Sequence, residues 1–89
     1  MAHHIEITYC VPCDYSARAV SAVSDLLSNY QHVIEEIRLV TGDNSAFEVV
    51  VNGNLVYSKH ATGRHAEPGE VLNLFTDLMG SDVPRYGEE

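Results

Sequence analysis

Cys10 and Cys13 are the only cysteines in this 89-residue chain, separated by Val11 and Pro12 in "YCVPCDY" behind an apolar run. Two thiols at this spacing can cycle between dithiol and disulfide, supply half of a tetrahedral zinc site, or sit inert as small buried residues. A bridge across so short a loop adds little loop-closure entropy, so stability is a poor reason for the pair. In the redox reading the thiolate is the nucleophile, and a helix N-terminus favours the charged form. Cys10 then reads as the more exposed nucleophile and Cys13, on the helix, as the resolving thiol that cleaves the mixed disulfide. Asp14, if close, opposes the thiolate, and Pro12 stiffens the turn. The zinc reading needs two more ligands, from His3, His4, His60, His65 or a second chain. No second C-x-x-C and no H-x-x-x-H is present, so no metal is assigned and no cofactor is expected. His3 and His4 read more simply as terminal residues, native or added.

The elements that must position the pair follow from periodicity. His4 to Tyr9 is a short run rich in Ile, Thr and Tyr and reads as a strand. From Cys13 to Tyr30, the residues Cys13, Ala17, Val20, Val23, Leu27 and Tyr30 recur at threes and fours and predict one helix face, with Pro12 and Asp14 at its start. Glu35 to Thr41 alternates as a second strand, and Gly42 to Ser45 breaks it. "AFEVVV" and "LVYSK" flank Asn52-Gly53, the strongest short hairpin signal, since both turn residues need positive φ. A loop spans His60 to Ala66. Glu67 then reads as a cap and Pro68 as the first residue of a helix whose stripe is Val71, Leu74, Phe75 and Leu78, ending at Gly80. Residues 1–80 thus form a single domain, and 81–89 a polar, mobile tail.

A right-handed crossover makes the first two strands parallel, with the first loop at their carboxyl ends. If the hairpin adds beside strand one, antiparallel to it, the result is an α/β, thioredoxin-like β-α-β-β-β-α chain with a four-stranded mixed sheet and two helices. Asn44 to Phe47, the C-x-x-C turn, Lys59 and the loop through Arg64 then share one end. Lys59, His60, Arg64 and His65 concentrate basic side chains there, a patch that could steer an anionic thiol or the acidic face of a partner. Tyr9 and Tyr15 flank the dithiol and could form an apolar docking rim, with Phe47 beside them.

"ITYCVPCDYSARA", "FEVVVNGNLVYSK" and "TGRHAEPGEVL", in this order and at this length, resemble the selenoprotein W-like (Rdx) family over roughly residues 5 to 79. The resemblance implies a thioredoxin-like fold and thiol–disulfide oxidoreductase chemistry, with Cys10 at the family's first cysteine and Cys13 at its cysteine-or-selenocysteine position. No proline precedes "FEVVV", so the cis-proline of thioredoxins proper has no counterpart.

Composition bounds the function classes. Thirteen acidic residues against five basic ones give a net charge of −8, which argues against nucleic acid as partner. Arg outnumbers Lys four to one, as expected of a salt-adapted, halophilic source. No apolar stretch approaches the ~20 residues of a membrane span, and no export signal is visible, so a cytoplasmic protein without a membrane partner is expected. The expected function is a small thiol–disulfide oxidoreductase or redox carrier, acting on a low-molecular-weight thiol or a protein disulfide partner as a monomer or weak dimer. The alternatives are a redox-sensing interaction module and a structural zinc module. Because salt screens repulsion among the acidic groups, the melting temperature is expected to rise from low to molar salt; a flat or falling curve in a salt series counters the halophile reading.

Overall fold

The computed structural model describes residues 2–89. Its sheet is built from β1 (His3–Cys10), β2 (Ile34–Gly42), β3 (Phe47–Val51) and β4 (Asn54–Ser58) in the order β2-β1-β3-β4. β1 pairs parallel with β2 and antiparallel with β3, and β3 antiparallel with β4, so β1 has a neighbour on each side. Period-two alternation turns Ile5, Ile7, Val49, Val51 and Tyr57 to one face, where all are buried. Helices α1 (Ser16–Tyr30) and α3 (Glu70–Met79) cover that face and contribute to the same core. Tyr30 and Phe75 join the two helices edge-to-face at 5.7 Å. On the opposite face His4 bonds Glu36 at 2.9 Å and Arg38 meets Glu6 at 3.4 Å.

The hairpin forms as the sequence demands: Asn52 and Gly53 have φ of 53° and 85° and join Val51 to Asn54 with no further residues. The Asn52 side-chain oxygen also accepts from the His4 backbone amide at 2.9 Å, and the Asn52 backbone amide donates to the His4 carbonyl at 2.8 Å. His3 and His4, read as terminal residues, are therefore the first two residues of β1.

Four expectations are corrected. α1 begins at Ser16 rather than Cys13. Asp14 has φ 63°, which no right-handed helix accommodates, and residues 11–14 close instead as a turn, with the Asp14 amide donating to the Val11 carbonyl at 2.9 Å. Its inward face is also displaced: Ala19, Ala22, Leu26 and Tyr30 are buried, whereas Val20 is 57% and Leu27 40% exposed. The sequence carries two apolar stripes, and the one holding two alanines lets the helix approach the sheet closely. α3 starts at Glu70, after Pro68 and Gly69 form a turn, and its Leu78 is exposed while Leu72 and Met79 pack inward. Finally, Lys59–Thr62 is a short third helix, α2, where a strand end and a loop were expected; Ser58 caps it by accepting from the Ala61 amide.

Within residues 81–89, read as a mobile tail, Val83 packs against the core and Arg85 and Tyr86 reach the end of α1. Arg85 donates to Asn29 Oδ1 at 2.7 Å and stands 5.3 Å over the Tyr30 ring, and the Tyr86 amide donates to the Asn29 carbonyl. The displaced α1 face gives a direct test. Leu26→Ala should cost about 2–4 kcal/mol and Leu27→Ala less than about 1 kcal/mol in denaturant unfolding. The reverse order would restore the stripe read from periodicity.

Candidate functional site

Cys10 is the last residue of β1, and both neighbours of that strand hold it. Its amide donates to the Ala46 carbonyl at 2.9 Å, and the Val11 amide to the Gly42 carbonyl at 2.9 Å. Gly42 opposite Cys10 packs closely on Thr8: a Cβ there would stand 3.0 Å from the Thr8 methyl, which would have to move by a few tenths of an ångström. The chain then turns through Val11–Asp14, with Pro12 at the position where its fixed φ suits a turn. The Tyr15 amide donates back to the Cys10 carbonyl at 3.2 Å before α1 begins. This turn brings Cys10 and Cys13 together as a disulfide, with Cα atoms 5.3 Å apart.

The two sulfur-bearing residues are not equivalent. Cys10 is 1% exposed, whereas Cys13 is only partly buried. The expectation that Cys10 is the exposed member is thereby corrected: as a strand-end residue paired on both sides it points into protein, and Cys13 rides on the turn. Ser45 Oγ lies 4.0 Å from Cys13 Sγ, and since a disulfide sulfur carries no proton the hydroxyl is the donor. Ser45 belongs to a tight turn in which Asn44 and Ser45 have φ of 59° and 60° and the Ala46 amide donates to Asp43. This turn occupies the place before β3 where the sequence lacks a proline. The run Asp43-Asn44-Ser45 signals a turn through its residue types, and the topology read from the sequence places Asn44 to Phe47 at the dithiol end, where the structure has them.

The other expected residues separate into two groups. Tyr15 stands at the dithiol turn, with the Lys59 ammonium 5.8 Å from its ring centroid and His65 edge-on at 4.3 Å. His60 donates from Nε2 to the Asn44 carbonyl at 2.7 Å, tying α2 to the Ser45 turn. Glu48 on β3 fixes α2 further by accepting from the Ser58 hydroxyl and, at 2.9 Å, from the Lys59 amide. Phe47, by contrast, is 2% exposed and packs on Tyr57 and His65, so it forms core and is not an open docking surface. Tyr9 packs against the same core. Arg64 is committed elsewhere, making a two-pronged pair with Glu70 at 2.8 and 2.9 Å. Among the described residues no three His, Cys, Asp or Glu side chains converge as metal ligands, and no helix is long and apolar enough to cross a membrane.

A β-α-β-β-β-α chain with a C-x-x-C disulfide at the end of its central first strand is a thioredoxin-like protein, and the solved structures it resembles define the type. A selenoprotein W-related protein from Vibrio cholerae superposes with a TM-score of 0.82 at 25% identity, covering 90% of this chain and all of that one. A Bordetella parapertussis protein gives 0.79 at 26% identity, covering 85% and 96%. The Rdx family model matches residues 4–77, and the chain belongs to the selenoprotein W-like Rdx family. Migration and invasion enhancer 1 from Mus musculus is 38% identical over 60 residues, 67% of this chain, and the Bos taurus protein of that name 33% identical over 85 residues, 82% of this chain. The chain spans half the length of the mouse relative and 72% of the bovine one.

The Arg64–Glu70 pair generates a pH prediction. Hydrogen bonds from the Arg64 guanidinium, then from the Glu67 amide, lower the Glu70 carboxyl from 4.5 to about 2. A depressed carboxyl contributes stability that is present above its unfolded value and lost as pH falls toward 2. Glu70→Gln should therefore lower the melting temperature at neutral pH and flatten its decline between pH 4.5 and 2; parallel curves for the two proteins would show that the pair is not coupled to folding.

Proposed function

We propose that this chain is a thiol–disulfide oxidoreductase or redox carrier that cycles Cys10 and Cys13, and that Cys13 is its attacking sulfur. The observation that carries the reading is the asymmetry of the pair, a buried Cys10 behind a partly exposed Cys13. Burial in apolar surroundings raises a thiol's pKa and shields it, whereas the residue on the turn is open to a partner and lies just ahead of the first amides of α1. The roles assigned from sequence order are thus exchanged.

In the reducing direction, the Cys13 thiolate attacks one sulfur of a partner disulfide and expels the other as a thiolate. Cys10 then loses its proton and attacks Cys13 Sγ, releasing the second partner sulfur and closing the Cys10–Cys13 disulfide. The partner gains two electrons and the chain loses two. Two equivalents of a low-molecular-weight thiol, oxidised to its disulfide, return the chain to the dithiol. A reducing cytoplasmic setting suits this cycle. Tyr15 and Lys59 border the turn and form the docking rim, while Tyr9, Phe47 and Arg64 serve the core and the Glu70 clamp.

The proposal predicts that in the reduced protein Cys13 alkylates faster than Cys10 near neutral pH, as measured by peptide mapping. Cys10→Ser should accumulate mixed disulfides on Cys13 in cells, seen as adducts on non-reducing gels that dithiothreitol removes. Accumulation with Cys13→Ser instead would return the attacking role to Cys10. Adducts from neither folded variant would favour a redox sensor that docks noncovalently.

A further inference from the structure

A cleft of about 230 Å³ opens between α1 and residues 65–69, with neither cysteine in its lining. That volume is below the ~300–1,000 Å³ of pockets for drug-sized ligands, so its occupant is small. Ala17, Ala22, Phe47 and Val71 give it apolar walls. Arg18 and Asp25 also line it. Seven residues apart on one helix, they share a face and are separated by about 10 Å along the axis, too far to neutralise one another directly.

Both side chains are unspent. Among the described residues neither Arg18 nor Asp25 has a side-chain hydrogen bond or ion pair, whereas Arg38, Arg64 and Arg85 are each bonded to Glu6, Glu70 and Asn29. The wall carries a third unmet group. His65, which lines the cleft, has a buried Nδ1 with no hydrogen-bond partner, which costs free energy. Burial, then Arg18 and Lys59, push His65 below the usual histidine range, so its ring is neutral near pH 7 and offers one donor and one acceptor.

We infer that this cleft binds a small zwitterion of dipeptide size, its carboxylate held at Arg18 and its ammonium at Asp25, with the apolar middle against Ala17 and Ala66. A simple anion would leave Asp25 and Glu67, which also lines the cleft, facing it unpaired. A simple cation would leave Arg18 so. The two fixed charges match a ligand that carries both signs at opposite ends. The site stands independently of the dithiol chemistry.

The test uses the full chain and a probe without sulfur. Alanyl-alanine, titrated while amide NMR shifts are recorded, should saturate a set of shifts centred on Ser21, Asp25 and Gly69. N-acetyl-alanyl-alanine, lacking the ammonium, and alanyl-alanine amide, lacking the carboxylate, should each bind at least tenfold more weakly. Asp25→Asn should abolish the preference for the free ammonium and Arg18→Gln the preference for the free carboxylate. Arg18 is exposed and Asp25 half-buried, neither in the buried core, and unchanged shifts elsewhere report an intact fold. The inference is overturned by unsaturable shifts, by equal binding of all three probes, or by preferences that survive both substitutions. Because the probe carries no thiol, none of these results bears on the redox reading.

Discussion

The fold and the site both depend on β1 being held from two sides. Its residues pair with β2 and β3 along their length, so its backbone is fixed by ladders it shares with the edge of the crossover and with the hairpin. At its carboxyl end the Cys10 amide goes to Ala46, and the Val11 amide to Gly42. A strand satisfied on both edges has no room to tilt, and the side chain at its end has little freedom to leave the interior. Burial of Cys10 follows from this, and so does placement of its partner sulfur on the following turn.

The same constraint explains why the turn is not helical. A helix starting at Cys13 would run directly off the strand end, but the Tyr15 amide is used to bond the Cys10 carbonyl, and Asp14 takes the left-handed conformation that short polar side chains tolerate. The cysteines therefore sit on a compact loop ahead of α1 rather than in its first turn. The Asn44–Ser45 turn closes the other side and presents a hydroxyl to Cys13. α2 is anchored there through His60 and Glu48, so four separate segments meet at the dithiol.

Cations are scarce here, and their placement organises the rest of the surface. Arg64 fastens the loop before α3 to Glu70, Arg38 bridges β2 to Glu6 on β1, and Arg85 pins the C-terminal segment to the end of α1. Lys59 lies over Tyr15 at the dithiol rim. What remains is Arg18, on the same face of α1 as Asp25 and with it lining a cleft that His65 also borders.

By itself, the sequence determined the order of the four strands and the two long helices, the Asn52-Gly53 hairpin, the mixed sheet and the C-x-x-C pair at the end of the first strand, but not α2. These rest on local signals: period-two runs, a dipeptide that accepts two positive φ values, and cysteine spacing. The right-handed crossover and the hairpin placed beside the first strand pointed to the thioredoxin-like fold, and the family resemblance agreed with it. Only tertiary structure decided which of two apolar stripes on α1 faces the sheet, since periodicity gives a helix a face without saying which neighbour fits it. It also decided which cysteine is open, because exposure depends on what strands and turns from distant sequence place around each sulfur. The same holds for Phe47 and Arg64, whose residue types suit docking but whose neighbours, Tyr57 with His65 and Glu70, draw them into the core and a clamp. Charge and hydrophobicity can be read in order along a chain, but which groups meet is settled by packing between segments far apart in it.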